Sequence, residues 1–148
     1  MMLEKFRLMG IKLPHRTSNA DGRANVDCGT LWLKFESELL YSKIPNKIGE
    51  EIYAVYYDYD TDQTGEYSYF IGCKVADDAQ SNEFDIIDIP EQNYKIEIAK
   101  GQMPDCIADA WRKIWEKDEA RAYLYDFEVY SEKSQNWGNA EVDIYLGF

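Results

Sequence analysis

The stretch Arg121 to Tyr130, R-A-Y-L-Y-D-F-E-V-Y, has the composition of a β-strand, since half of its residues are aromatic or β-branched. Successive side chains of a strand point to opposite faces. Tyr123, Tyr125, Phe127 and Val129 therefore share one apolar and aromatic face, and Leu124, Asp126, Glu128 and Tyr130 share the other. This puts the Glu128 carboxylate between Asp126 and a tyrosine ring, in a strand expected to be covered. A carboxylate in such a place costs free energy unless something pairs with it. No basic residue adjoins Glu128 in the strand, so its partner is expected to be a ligand.

Working outward, the chain reads as strand, helix, strand, strand, taken twice. Phe6 to Leu13 reads as the first strand. From Asn25, with Asp21 or Asn25 as the cap, Cys28, Leu31, Trp32, Phe35 and Leu39 fall on one face of a helix. Ile52–Tyr59 and Tyr67–Val75 read as a hairpin around the turn at 60–65. The second round comprises short strands at Phe84–Ile89 and Tyr94–Ala99, then a helix opened by Pro104-Asp105 with Ile107, Ala110, Trp111, Ile114 and Trp115 on its apolar face. The strand at 121–130, a polar loop carrying Trp137 and a last strand at 141–148 complete it.

The two rounds also match in sequence. Tyr57-Asp58-Tyr59-Asp60 lines up with Tyr125-Asp126-Phe127-Glu128, Phe70-Ile71-Gly72 with Tyr145-Leu146-Gly147, and Trp32 with Trp111. The expected fold is α+β: a curved antiparallel sheet built from two β-α-β-β repeats, roughly 1–76 and 84–148, related by a pseudo-two-fold axis within a single domain 1–148. Two helices are expected to pack on one face of the sheet. On this reading Glu128 is equivalent to Asp60. The face away from the helices is expected to hold Tyr56, Asp58, Phe70, Asp126, Glu128, Tyr130 and Tyr145, with glycines where a ligand comes close.

Composition narrows the function. The net charge of −12 argues against direct nucleic-acid binding, which needs a basic patch, and favours the approach of cations. No apolar run is long enough for a membrane helix or a signal peptide, so a cytoplasmic location with no membrane partner is expected. Cys28, Cys73 and Cys106 are odd in number and far apart, and read as buried reduced thiols. His15 is the only histidine, so neither a histidine-based triad nor a histidine metal cluster is supported. The acidic turn Asp58-x-Asp60-x-Asp62 lacks the glycine and the glutamate of a calcium loop, having Gln63 and Tyr69 at those places. No nucleotide-binding motif occurs. Neither metal nor cofactor is expected.

Five segments carry a family resemblance: I-Y-A-V-Y-Y-D-Y-D at 52–60, G-E-Y-S-Y-F-I-G-C-K-V at 65–75, D-A-W-R-K-I-W at 109–115, D-F-E-V-Y at 126–130 and V-D-I-Y-L-G at 142–147. The sequence resembles the effector-binding domain of AraC-type transcription activators, the GyrI-like small-molecule-binding domain, and within it the stand-alone members found on integron cassettes. That resemblance implies a pair of β-α-β-β units and a central aromatic cleft for small amphipathic, often cationic, molecules. It also implies an acid at the position of Glu128 that contacts the cation, and it brings Trp111 near the cleft. A DNA-related role would then need a partner protein, because the chain has no room for a helix-turn-helix domain.

The expected ligand-binding residues are Glu128, Tyr130, Tyr56, Phe70, Tyr145, Trp111 and Trp115. Aromatic faces attract a cation through their quadrupoles, and the acid supplies the opposite charge. A competing reading makes Glu128 the acceptor in a buried tyrosine network. Two alternatives of function remain at this level. One is a hydrolase of electrophilic small molecules, with Glu128 as general base. The other is a gyrase-inhibitor-like module that sequesters a protein partner.

Overall fold

The computed structural model describes residues 1–62, 64–117 and 120–148. Gln63, weighed above as a calcium-loop position, lies outside the described residues. The strands are β1 (Met2–Leu3), β2 (Phe6–Lys12), β3 (Thr17–Ser18), β4 (Ile52–Tyr57), β5 (Glu66–Val75), β6 (Asp85–Ile89), β7 (Gln92–Gly101), β8 (Tyr125–Tyr130) and β9 (Ala140–Gly147). The helices are α1 (Arg23–Ser37), the single turn α2 (Leu40–Lys43) and α3 (Asp105–Glu116). The fold is α+β, with one antiparallel sheet in the order β1-β7-β9-β8-β4-β5-β2-β6 and β3 added beside β5. The central pair is β4 and β8, so the two β-α-β-β units meet at the middle of the sheet.

The register corrects one equivalence read from sequence. Phe70 lies opposite Val55 in the first unit, and Tyr145 lies opposite Phe127 in the second. Matching Phe70-Ile71-Gly72 with Tyr145-Leu146-Gly147 therefore matches Val55 with Phe127, and Tyr56 with Glu128. Asp60 is not the counterpart of Glu128; it lies past the end of β4, paired with Arg16. The sequence alignment had slipped by two periods of the strand, which leaves the face unchanged and so escapes an alternation argument.

The sheet has two different faces. Ala54, Tyr56, Tyr69, Ile71, Glu128 and Ile144 project toward the helices, while Val55, Phe70, Phe127 and Tyr145 project the other way. On that second face the sheet curls over itself. Phe6 of β2 and Tyr94 of β7 both meet the Phe127 ring edge-on, at centroid distances of 5.7 and 5.2 Å. Tightness there depends on paired glycines: Gly10 lies opposite Gly72, and a Cβ on Gly10 would come within 2.0 Å of the Ile71 carbonyl oxygen. Glycine here serves the close crossing of β2 and β5, not the approach of a ligand. A Cβ on Gly147 would likewise meet Gln92 Nε2 at 1.7 Å.

Helix α1 lies over β2, β3 and β5, and α3 lies over β7. Leu31 and Phe35 of α1, and Trp111 and Ile114 of α3, are buried against the sheet. The helices thus sit over the two flanks, and the central pair β4–β8 runs between them. Three expectations change at element ends. Helix α1 stops at Ser37, because Leu39 takes the left-handed conformation with φ 54° and is exposed. Its start is marked by Gly22 in the left-handed region, not by an Asp21 or Asn25 side-chain cap. The strand expected from Arg121 begins only at Tyr125, since Tyr123 at φ 53° breaks the alternation.

Candidate ligand-binding site

The gap between α1 and α3 is a cleft of about 1230 Å³ whose floor is β4, β5 and β8. All four tryptophans of the chain, Trp32, Trp111, Trp115 and Trp137, line it. So do five carboxylates (Glu36, Glu50, Asp105, Glu128 and Glu132) against two guanidinium groups, Arg112 and Arg121. The cleft is aromatic and carries an excess of negative charge, which attracts cations.

Glu128 lies on the cleft floor and is 1% exposed. Oε2 accepts from Tyr56 Oη at 2.8 Å and from Trp111 Nε1 at 2.6 Å, and Oε1 accepts from Tyr130 Oη at 2.6 Å. Each donor follows from the fold. Ala54 lies opposite Glu128 across the central strand pair and Tyr56, two residues along on the same face, is its diagonal neighbour; Tyr130 is two residues along β8 on that face, and Trp111 reaches down from α3. Burial pushes the Glu128 carboxyl above the usual carboxylate range, and these three hydrogen bonds counteract it. The same burial holds the hydroxyls of Tyr56, Tyr69 and Tyr130 well above the ordinary tyrosine value, with the Glu128 charge adding to it. Those hydroxyls therefore remain donors throughout the physiological range. Cys28, on the α1 side of the cleft, is raised by burial as well.

Rings close the site. Trp32 meets Tyr130 edge-on at 5.0 Å and donates through Nε1 to Tyr69 Oη at 2.8 Å. Tyr56 contacts Tyr69 and Trp111 at 4.9 and 5.1 Å. Trp115 stands 6.3 Å from Trp111, toward the rim. The loop after β8 contributes Trp137, which is exposed and tied to the start of α3 by Met103 N donating to its carbonyl at 2.7 Å.

A second acid beside the site is spoken for. Asp126 is fully buried, and its Oδ2 accepts from Arg121 Nη2 at 2.7 Å and from Tyr59 Oη at 2.6 Å. Its Oδ1 accepts from the backbone N–H of Gly147 at 2.8 Å. Asp126 and Glu128 are thus neighbours on one face with different environments: a cation faces the first, and only neutral donors face the second.

Of the residues expected from sequence, Glu128, Tyr130, Tyr56, Trp111 and Trp115 come together in the cleft. Phe70 and Tyr145 do not. Phe70 is buried in the cluster on the opposite face, and Tyr145 stacks there on Phe127 at 4.7 Å. The expectation that the site faces away from the helices is also corrected. The helices sit on the flanks of the sheet and leave its centre open, so the cleft lies on their side. Trp32, Tyr59, Tyr67, Tyr69 and Arg121 were missed. Trp32 could have been found from the repeat, as the counterpart of Trp111.

Two helices straddling the middle of a two-unit antiparallel sheet, over an aromatic cleft, define an effector-binding domain of GyrI-like fold. The chain belongs to the family of integron-associated effector binding proteins (Cass2), whose model matches residues 1–147. Small-molecule binding is the function that this family carries. Among curated proteins it is similar to YobU of Bacillus subtilis (strain 168), named as a candidate transcriptional regulator, with 28% identity over 143 residues, 90% of this chain and 88% of that protein. Among solved structures it is similar to an integron cassette protein from the mobile metagenome of Vibrio cholerae (27% identity, TM-score 0.72, covering 99% of this chain and 92% of that one). The fold is also that of SAV2435, solved bound to tetraphenylphosphonium (17% identity, TM-score 0.80, covering 99% and 90%). Among the described residues, no helix is long and apolar enough to cross a membrane.

Proposed function

We propose that this protein binds amphipathic organic cations between α1 and α3, with Glu128 as the counter-charge and Trp32, Tyr56, Trp111 and Tyr130 as the walls. The observation that carries this reading is the state of Glu128. It is a buried carboxylate with three neutral donors, and it has no cationic partner among the described residues. Hydrogen bonds orient the carboxylate, but they leave its charge uncancelled in a poorly hydrated cleft. A lipophilic cation cancels that charge while its apolar surface fills the space between the rings. The cation seen on SAV2435, a protein of the same fold, has this chemistry. The regulator name given to YobU supports an effector role linked to transcription. With three free thiols, the reading places the protein in the cytoplasm.

Because every tryptophan lines the cleft, intrinsic fluorescence reports occupancy directly. The test titrates tetraphenylphosphonium against neutral triphenylphosphine oxide, in the native protein and in Glu128→Gln. A unit charge about 4 Å from the carboxylate is worth roughly 4 kcal/mol at an effective dielectric constant of about 20, part of which is offset by desolvation. A net loss of about 2–3 kcal/mol, or roughly 30- to 150-fold in Kd, is expected for the cation alone. Undiminished tetraphenylphosphonium affinity in a folded Glu128→Gln protein would overturn the assignment.

A further inference from the structure

Arg121 holds two donor nitrogens with no acceptor among the described residues. Its side chain is 3% exposed and lines the cleft. Nη2 is committed to Asp126, but Nε and Nη1 have no acceptor among the described residues. Asp126 does not serve them, because it takes Arg121 through one nitrogen and gives its remaining capacity to Tyr59 and Gly147. Two rings also stand against the guanidinium: its Cζ lies 4.5 Å from the Tyr123 centroid and 5.7 Å from that of Trp111. A ring face attracts the charge of a guanidinium without accepting its in-plane N–H bonds. Buried donors left without an acceptor are costly, and natural proteins keep few of them.

The position of these donors fits a two-point ligand. Trp111 bonds Glu128 through Nε1 at 2.6 Å, and Arg121 lies against the same indole. The unpartnered donors are therefore about one indole away from the carboxylate. We propose that Arg121 Nε and Nη1 receive an acceptor oxygen of the ligand. The preferred ligands are then organic cations that carry a carboxylate or similar oxygen on a short arm: the cation meets Glu128 and the oxygen meets Arg121. This rests on the Glu128 reading for its cationic half. The Arg121–Asp126 pair is neutral as a unit, so the donors offer hydrogen bonds while the cleft keeps its negative balance for the cation.

The test compares butyltriphenylphosphonium with carboxypropyl triphenylphosphonium by calorimetry. The two cations differ only in the terminal carboxylate. In a cleft of net negative charge that carboxylate is repelled unless a donor receives it, so the sign of the difference is informative. The carboxylate probe is expected to bind the native protein at least about tenfold more tightly, as a charge-assisted hydrogen bond gives. Arg121→Lys keeps a charge facing Asp126 but removes the planar fork, and with it donors at the positions of Nε and Nη1. It should bring the ratio of affinities to about one or below, the ratio being read within each protein so that any common change in affinity cancels. Should that variant fold poorly, the pair Arg121→Met with Asp126→Asn removes both charges together and serves the same comparison. A native ratio at or below one, or a ratio untouched by either variant, overturns the proposal. Failure of the Glu128 reading looks different: the butyl probe then ignores Glu128→Gln. If the native protein binds neither probe, both readings fall.

Discussion

Glu128→Gln should make the unliganded protein more stable at neutral pH, and the gain should vanish in acid. The Glu128 carboxyl is raised from its ordinary value of 4.5 by burial. A raised acid binds its proton more tightly in the folded than in the unfolded state. The stability it contributes is therefore fully present below the ordinary value, and is lost as pH rises through the folded value. Once ionised, Glu128 is a buried charge that several kcal/mol of desolvation oppose, and three charge-assisted hydrogen bonds return most but not all of it. Glutamine has the shape of the protonated acid. Its carbonyl can replace Oε2 and accept from Tyr56 and Trp111, while its amide donates to the Tyr130 hydroxyl, which can turn to accept. A residual of about 1–2 kcal/mol in favour of the variant corresponds to a rise of roughly 2–8 °C in Tm for a domain of this size. Thermal melts of both proteins from pH 7.5 down to pH 4.5 isolate Glu128, because other titrating groups are common to both. A variant that is destabilised at neutral pH, or a Tm difference independent of pH, would show that the ionised carboxylate holds the fold together, and the counter-charge argument would fail.

Two more outcomes follow from the same geometry. Cation affinity should be level above the raised Glu128 value and fall toward about tenfold per pH unit below it, since binding there must release a proton. Triphenylphosphine oxide should show no such slope, and Tyr56, Tyr69 and Tyr130, all pushed upward, add none between pH 5 and 8; calorimetry across that range, with the protons released measured in two buffers, decides it. Arg121→Met should cost about 3–5 kcal/mol in urea unfolding, because it strands the fully buried Asp126. Adding Asp126→Asn should recover much of that loss.

What the sequence made legible, and what it did not, follows from the range of each signal. Strand alternation and helical spacing are local, and they located β4, β5, β8, β9, α1 and α3 to within a few residues at most ends. They also placed Glu128, Tyr56 and Tyr130 on one face, because two central strands in register need only a period of two to bring those side chains together. Alternation cannot say which face of a sheet the helices cover, nor how completely. Expecting the helices on one face and the ligand on the other drew in Phe70 and Tyr145, which instead pack where the sheet curls over Phe127, while the aromatic cleft opens on the helix side. Arg121 shows the same limit in another way. Read as the first residue of a strand it had no role; with Tyr123 in the left-handed region the chain turns there, and the guanidinium comes back on Asp126. That turn separates two acids of one strand face, Asp126 with its cation and Glu128 without. The asymmetry that matters to function is therefore not between Glu128 and its repeat counterpart, which is Tyr56. It lies between neighbouring carboxylates, one paired with a guanidinium and one met by neutral donors, and it is on the second that the proposed counter-charge role rests.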